Sequence, residues 1–223
     1  NADGTPATGR INKADVPATV KFIESITGLD FTSIIDPKTK YPARWLGSTG
    51  KAPSSGDLDL AVDINETSKE ALAAKITQWV QAQGQNINPK DWVVAKGEVH
   101  FKTPIAGDPK KGFVQTDFMF MSDVAWGTFW LSSGPSKYKG VYRNILMSSV
   151  AKALGLKASA KGIISRTSDK VLTLDPARAA KLLLGPRASV DTLSTVESIY
   201  AALSQDPDRD AKLSDQVKKK YTI

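Results

Sequence analysis

The sequence predicts an α/β (α+β) fold: a small mixed β-sheet with flanking helices, followed by a smaller, mainly helical domain. Three observations carry this. Residues 57–64, DLDLAVDI, alternate with the two-residue period of a strand. GEVHFKTPI (97–105) and GFVQTDFMFM (112–121) flank the turn Gly107-Asp-Pro-Lys-Lys-Gly112, the pattern of an antiparallel hairpin. Beyond about residue 125 the apolar spacing becomes mostly helical, which puts a soft boundary there and divides the chain into 1–125 and 126–223.

The elements follow in order. Residues 1–14 are polar and rich in Gly, Pro and Thr, and read as a loose tail. Asp15 is placed to cap a helix running to about Ile26, with Val16, Val20, Phe22 and Ile23 toward the core and Gly28 at its stop. DPKTKYPARW (36–45) is a loop with two prolines. After the strand at 57–64, Thr67 or Ser68 caps a helix whose buried stripe is Leu72, Ile76, Trp79 and Val80, ending at Gly84. Residues 92–123 read as β-structure. WGTFWL (126–131) fits either a further short strand or the start of an aromatic helix, and 132–140 is a loop. VYRNILMSSVAKALG is a helix ending at Gly155, and 161–174 suits a small hairpin. Asp175 and Pro176 open a short helix closed by Gly185, and two more helices are expected around 190–205 and 206–221.

Composition narrows the chemistry. With 223 residues the chain can bury a real core, and with no cysteine it has no disulfide, thiolate metal site or cysteine nucleophile. Its one histidine, His100, has no neighbours that suggest a triad or a His-rich metal site and reads as structural, although the expected hairpin sets it one strand from Asp117, with no role assigned. A bound metal would therefore be held by oxygen, pointing to Mg2+, Mn2+ or Ca2+. The net charge of +7 favours an anionic partner such as a nucleotide or nucleic acid. No apolar run reaches the length of a membrane span and no secretory signal is visible, so the expected location is intracellular, cytoplasmic or nucleoid-associated, with no membrane partner.

The densest chemistry lies in LGSTGKAPSSGDLDL, residues 46–60. Its first half looks like a phosphate-binding P-loop, but that motif needs Gly five residues before Gly50, where Trp45 stands. It also needs Ser or Thr after Lys51, where Ala52 stands, and Pro53 interrupts the helix that should follow. The second half is different. Residues i and i+2 of a strand share a face, so Asp57 and Asp59 project together while Leu58 and Leu60 point into the core. Adjacent carboxylates repel unless a cation lies between them. A third carboxylate from a neighbouring strand would complete a clamp for two divalent ions, and Asp117 fits, since a lone charge amid FVQTDFMFM would be costly without a partner. The plain alternative is an acidic pair on a solvated strand face. Asp63 lies too far along the strand to share the same ions, and Asp123 reads as a loop or cap residue.

Leu46-Gly47-Ser48, a short spacer, Gly56-Asp57-Leu58-Asp59 and then a strand aspartate together resemble the nucleotidyltransferase superfamily, in its DNA polymerase beta-like branch. The resemblance spans roughly residues 46–135 and implies a nucleotidyltransferase fold whose first domain, 1–125, is the palm-like catalytic part. It implies that Asp57, Asp59 and Asp117 are catalytic and hold two Mg2+ (or Mn2+) ions, with Asp117 helping to deprotonate an attacking 3′-hydroxyl. By the same resemblance Gly47, Ser48, Lys51 and Gly56 would contact the phosphates of an NTP or dNTP. The spacer APSS is slightly shorter than the family pattern, which bears on Lys51 more than on the aspartates. TFWLSSG is similar to the aromatic segment lining the nucleotide sugar in that branch. Phe129, Trp130, Ser132, Ser133 and Gly134 would then sit by base and ribose, with aromatic core packing as the alternative for the two rings.

Between Lys137 and Lys170 the chain carries eight basic residues and one acid, Asp169, with Tyr138 and Tyr142 interleaved. Lysines can follow a phosphate backbone and tyrosines can stack on bases, so 126–223 is expected to bind nucleotide or acceptor, with Arg143 and Asn144 foremost. An ordinary solvated helix face is the alternative. The expected activity is metal-dependent transfer of a nucleoside monophosphate to a hydroxyl, above all a nucleic-acid 3′ end, either a single strand or a primer, with release of pyrophosphate. Nucleotidylation of a protein or small molecule, and a catalytically silent nucleic-acid-binding relative, remain alternatives.

Overall fold

A computed structural model of the chain describes residues 5–132 and 136–213. It divides into two compact units, residues 1–124 and 125–223.

The first unit is built on a five-stranded mixed sheet in the order β2-β4-β7-β6-β5. β4 (Asp57–Asp63) and β7 (Phe113–Met121) run parallel at its centre. β2 (Trp45–Leu46), β6 (Glu98–Pro104) and β5 (Val93–Lys96) join antiparallel. The pleat sorts β4 into two faces. Leu58, Leu60 and Val62 are fully buried with Val114 and Phe118 of β7 and Val99 and Phe101 of β6. That face packs on two helices, α1 (Val16–Thr27) through Val16, Val20 and Ile23, and α2 (Lys69–Gln81) through Leu72, Ile76 and Val80. Each such aliphatic side chain is worth about 1.5–3 kcal/mol of burial, which fixes the register and so the direction of every alternate residue. Asp57 and Asp59 are sent to the opposite face.

The helices form where their spacing requires. α2 is capped by Ser68, whose side chain accepts from the Ala71 N–H at 3.1 Å. α2 ends at Gln81, short of Gly84. Asp15 stands at the N-cap of α1 without a side-chain cap bond, and Pro17 occupies the first turn.

The N-terminal segment differs from the loose tail expected of it. Thr8 bridges Phe113, and β1 (Ile11–Asn12) pairs antiparallel with β3 (Ser54–Ser55), just before β4. Ile11, 1% exposed in the main core, anchors it. Polar composition around a single apolar anchor hid this pairing.

In the second unit WGTFWL belongs to a helix, α3 (Val124–Leu131), the helical option of the two. α4 (Gly140–Ala153) follows. The expected hairpin gains a third strand, so β8 (Leu156–Ser159), β9 (Gly162–Ser165) and β10 (Val171–Thr173) form an antiparallel meander. α5 (Pro176–Leu184) has Asp175 as its cap, accepting from Ala177 N–H at 3.1 Å, and α6 (Val196–Leu203) and the short α7 (Arg209–Lys212) follow. The rest of the helix expected to 221 lies outside the described residues. Trp126, Leu146, Met147, Val150, Ile163, Leu183 and Ile199 are central to this unit's own core. No described helix is long and apolar enough to cross a membrane.

Candidate functional site

The central parallel pair brings the three aspartates together. Asp59 and Asp117 are direct cross-strand partners, and Asp57 lies two residues back on the same face of β4. One carboxylate oxygen from each lies within 4.8 Å of the others, close enough to hold a metal ion. Their crowding has an electrostatic signature. The Asp59 carboxyl is pushed up to about 7, first by burial and then by the negative charges of Asp57 and Asp117. Three oxygen donors that disfavour one another's charge suit a hard divalent cation, which would relieve the repulsion. Asp63 and Asp123 are not part of this group.

Asp117 is held by two neighbours. Nδ1 of His100, its register partner on β6, lies 2.5 Å from Oδ1, and Gln115 Nε2 donates to the same oxygen at 2.8 Å. The sequence reads His100 as structural and places it one strand from Asp117 on the hairpin, without assigning it a role. The signal was there in the hairpin, because the pairing of 98–104 with 113–121 sets residue 100 opposite residue 117.

The loop from β2 to β4 is folded onto this face. Gly47 (φ +56°) and Gly50 (φ +70°) adopt left-handed conformations that favour glycine. A Cβ on Gly50 would meet the Trp45 ring at 2.4 Å, and one on Gly47 would lie 3.3 Å from Asp59 Oδ2. Gly47 thus brings main chain directly against a carboxylate of the cluster. Thr49, fully buried, accepts from the Asp59 N–H at 2.9 Å and ties the loop to β4. Ser48 is exposed, its hydroxyl donating to Ser55 Oγ at 3.0 Å, while Ser55 donates to the Ser48 carbonyl at 3.1 Å. Lys51 donates to the Trp45 carbonyl at 2.8 Å, and burial pulls its pKa down. Its ammonium closes the loop on itself. Gly56 is exposed at the start of β4, and the Arg10 guanidinium lies over it, with Nη1 3.5 Å from where a Cβ on Gly56 would stand. Arg10 is steadied by Ser54, Nε to Oγ at 3.1 Å and Nη2 to the carbonyl at 3.2 Å. This arginine was missed because the N-terminal segment looked unstructured.

In the second unit the structure corrects the reading of Arg143. It is 2% exposed, and its guanidinium donates to the carbonyls of Phe129 (2.5 Å), Trp130 (3.2 Å) and Leu193 (3.3 Å) while packing on the Phe129 ring. Burial pulls its pKa down to about 10. The side chain ties α4 to α3 and the 190–193 turn instead of reaching toward a nucleotide. Asn144 likewise donates to the Trp130 carbonyl at 2.9 Å. Phe129 and Trp130 pack around Trp126, at centroid distances of 5.1 and 6.3 Å, the core-packing alternative. Ser133 and Gly134 lie outside the described residues. Of the eight basic residues from 137 to 170, Arg143 is the one that is buried, and the other seven are exposed.

No protein-family model matches the chain, and no curated protein matches it.

Proposed function

We propose that the chain is a metal-dependent nucleotidyltransferase of the polymerase beta-like kind, moving a nucleoside monophosphate from an NTP or dNTP to the 3′-hydroxyl of a nucleic acid. The observation that carries this reading is the convergence of Asp57, Asp59 and Asp117 beside the Gly47-Ser48 turn. Oxygen donors and a close main-chain approach occur together there, as the binding of a metal–triphosphate requires.

Asp57 and Asp59 would hold two divalent ions, with Asp117 completing one of the two coordination sets. Bound there, Mg2+ or Mn2+ would neutralise the carboxylates, favour the ionised acceptor hydroxyl and balance the charge that develops on the phosphates. Gly47 and Gly56 leave room for phosphate oxygens against main chain, and the Ser48 hydroxyl and Arg10 Nη1 supply donors to them. Asp117 accepts the hydroxyl proton as the acceptor oxygen forms its bond to the α-phosphorus. The bond from that phosphorus to the bridging oxygen breaks, and pyrophosphate leaves with the electron pair. The exposed lysines of the second unit suit phosphate contacts that do not read sequence.

The test is incubation with each labelled ribo- and deoxyribonucleoside triphosphate, Mg2+ or Mn2+, and single-stranded, primed and structured oligonucleotides, with the Asp57→Asn variant as control. Transfer that disappears in the variant supports the reading. Absence of transfer to every oligonucleotide would overturn the nucleic-acid acceptor, and label on protein would redirect it to a protein hydroxyl.

A further inference from the structure

The geometry points to His100 as the positioning residue that aims the third carboxylate, making the metal set depend on a side chain that binds no metal itself. A carboxylate offers only acceptors, so at the 2.5 Å contact the hydrogen belongs to Nδ1, and the imidazole is in its Nδ1–H form with Nε2 turned away from Asp117. Gln115 donates to the same Oδ1. Two donors engage Oδ1, so an ion or a hydroxyl falls to Oδ2, on a side chain that also hydrogen-bonds the Asp59 carboxyl. The carboxylate is thereby fixed in rotation, which a lone aspartate on a strand is not.

The surroundings favour a positioning role over core packing. The His100 side chain is 35% exposed, and the site lies on the face away from α1 and α2. The charged groups sharing this face with the pair are Asp59, across from Asp117; Asp57 and Lys102, in line with Gln115 one pleat to one side; and Glu98 with its partner Lys96 one pleat to the other. Among the described residues no lysine or arginine pairs with Asp117, so hydrogen bonds do the orienting.

The proposal concerns the metal set and rests on the nucleotidyltransferase reading only for its kinetic arm. Mn2+ is titrated into the full chain by calorimetry and electron paramagnetic resonance, without nucleotide, for wild type, His100→Ala and His100→Asn. The asparagine amide can place an N–H where Nδ1–H stands. The expected result is affinity weakened about tenfold in His100→Ala and restored to within about threefold of wild type in His100→Asn. Equal affinity in wild type and His100→Ala would overturn the proposal, as would His100→Asn binding as weakly as His100→Ala, or wild type binding no Mn2+. Because the chain has one histidine, a 15N-histidine sample yields a single imidazole. Its Nδ1 should carry the proton shared with Asp117 in the absence of metal, and a bare Nδ1 would also overturn the proposal. In the kinetic arm His100→Ala should lower kcat about tenfold while nucleotide KM stays within about threefold, with His100→Asn recovering kcat. A wild-type chain that transfers nothing ends the functional reading, and the Mn2+ and imidazole results still decide the role of His100.

Discussion

Divalent-ion binding at the three aspartates should release a proton, and the amount should depend steeply on pH. The perturbation is a change from pH 8 to pH 6. In the metal-free site Asp59 titrates at about 7 in place of 3.8, because burial and the charges of Asp57 and Asp117 oppose its ionisation. At pH 6 it is therefore about 90% protonated, and an ion must displace about 0.9 proton; at pH 8 the figure is about 0.1. Apparent affinity should fall about tenfold from pH 8 to pH 6. Calorimetric titration of Mn2+ in two buffers of different ionisation enthalpy counts those protons directly. Stability is linked with the same sign. The folded, metal-free chain binds more protons than the unfolded chain between about pH 4 and 7, so this group's stabilisation is complete below 3.8 and is lost as pH rises through 7. Unscreened, that displacement corresponds to about 4 kcal/mol. Asp59 is only half-buried, and solvent screening reduces the expected loss to about 1–2 kcal/mol. In a chelator the melting temperature should therefore drop between pH 5 and 8 by more in wild type than in Asp59→Asn. Proton release below about 0.2 at pH 6, or affinity unchanged across the range, would refute the electrostatic account of the cluster.

Other substitutions probe the remaining parts. Gly47→Ala places a methyl 3.3 Å from Asp59 Oδ2 on a left-handed backbone, and should weaken Mn2+ and nucleotide binding at least tenfold while costing only about 1–2 kcal/mol of stability by urea titration. Arg10→Ala should raise nucleotide KM with little change in melting temperature, since the guanidinium is exposed and its described hydrogen bonds both go to Ser54; an unchanged KM would remove it from the phosphate site. Arg143→Met removes three carbonyl contacts from the second unit's core and should lower stability by about 2–4 kcal/mol, leaving nucleotide KM within about twofold at temperatures where the chain is folded.

The paired aspartates show what could be read from sequence. Leu58, Leu60 and Val62 required a buried face, so the two-residue pleat period sent Asp57 and Asp59 to the other side before any tertiary contact was known. The 98–104/113–121 hairpin, the capping of α2 by Ser68 and that of α5 by Asp175 are likewise local patterns with local causes. Arg143 shows the limit. A basic residue in a basic, tyrosine-bearing stretch has the composition of a phosphate contact, and only the fold shows its guanidinium on main-chain carbonyls behind α3. Arg10 is the converse, its importance resting on β1 pairing with β3 more than forty residues away. By itself, then, the sequence determined the strand and helix periods, the shared face of Asp57 and Asp59, and the absence of thiolate or multi-histidine chemistry. Tertiary structure alone decided that β4 and β7 lie parallel and in the register that sets Asp117 opposite Asp59. The physical reason is that pleat and helix periods are properties of neighbouring residues. Which strands pair is decided instead by the burial of a whole sheet face, a sum over residues far apart in the chain.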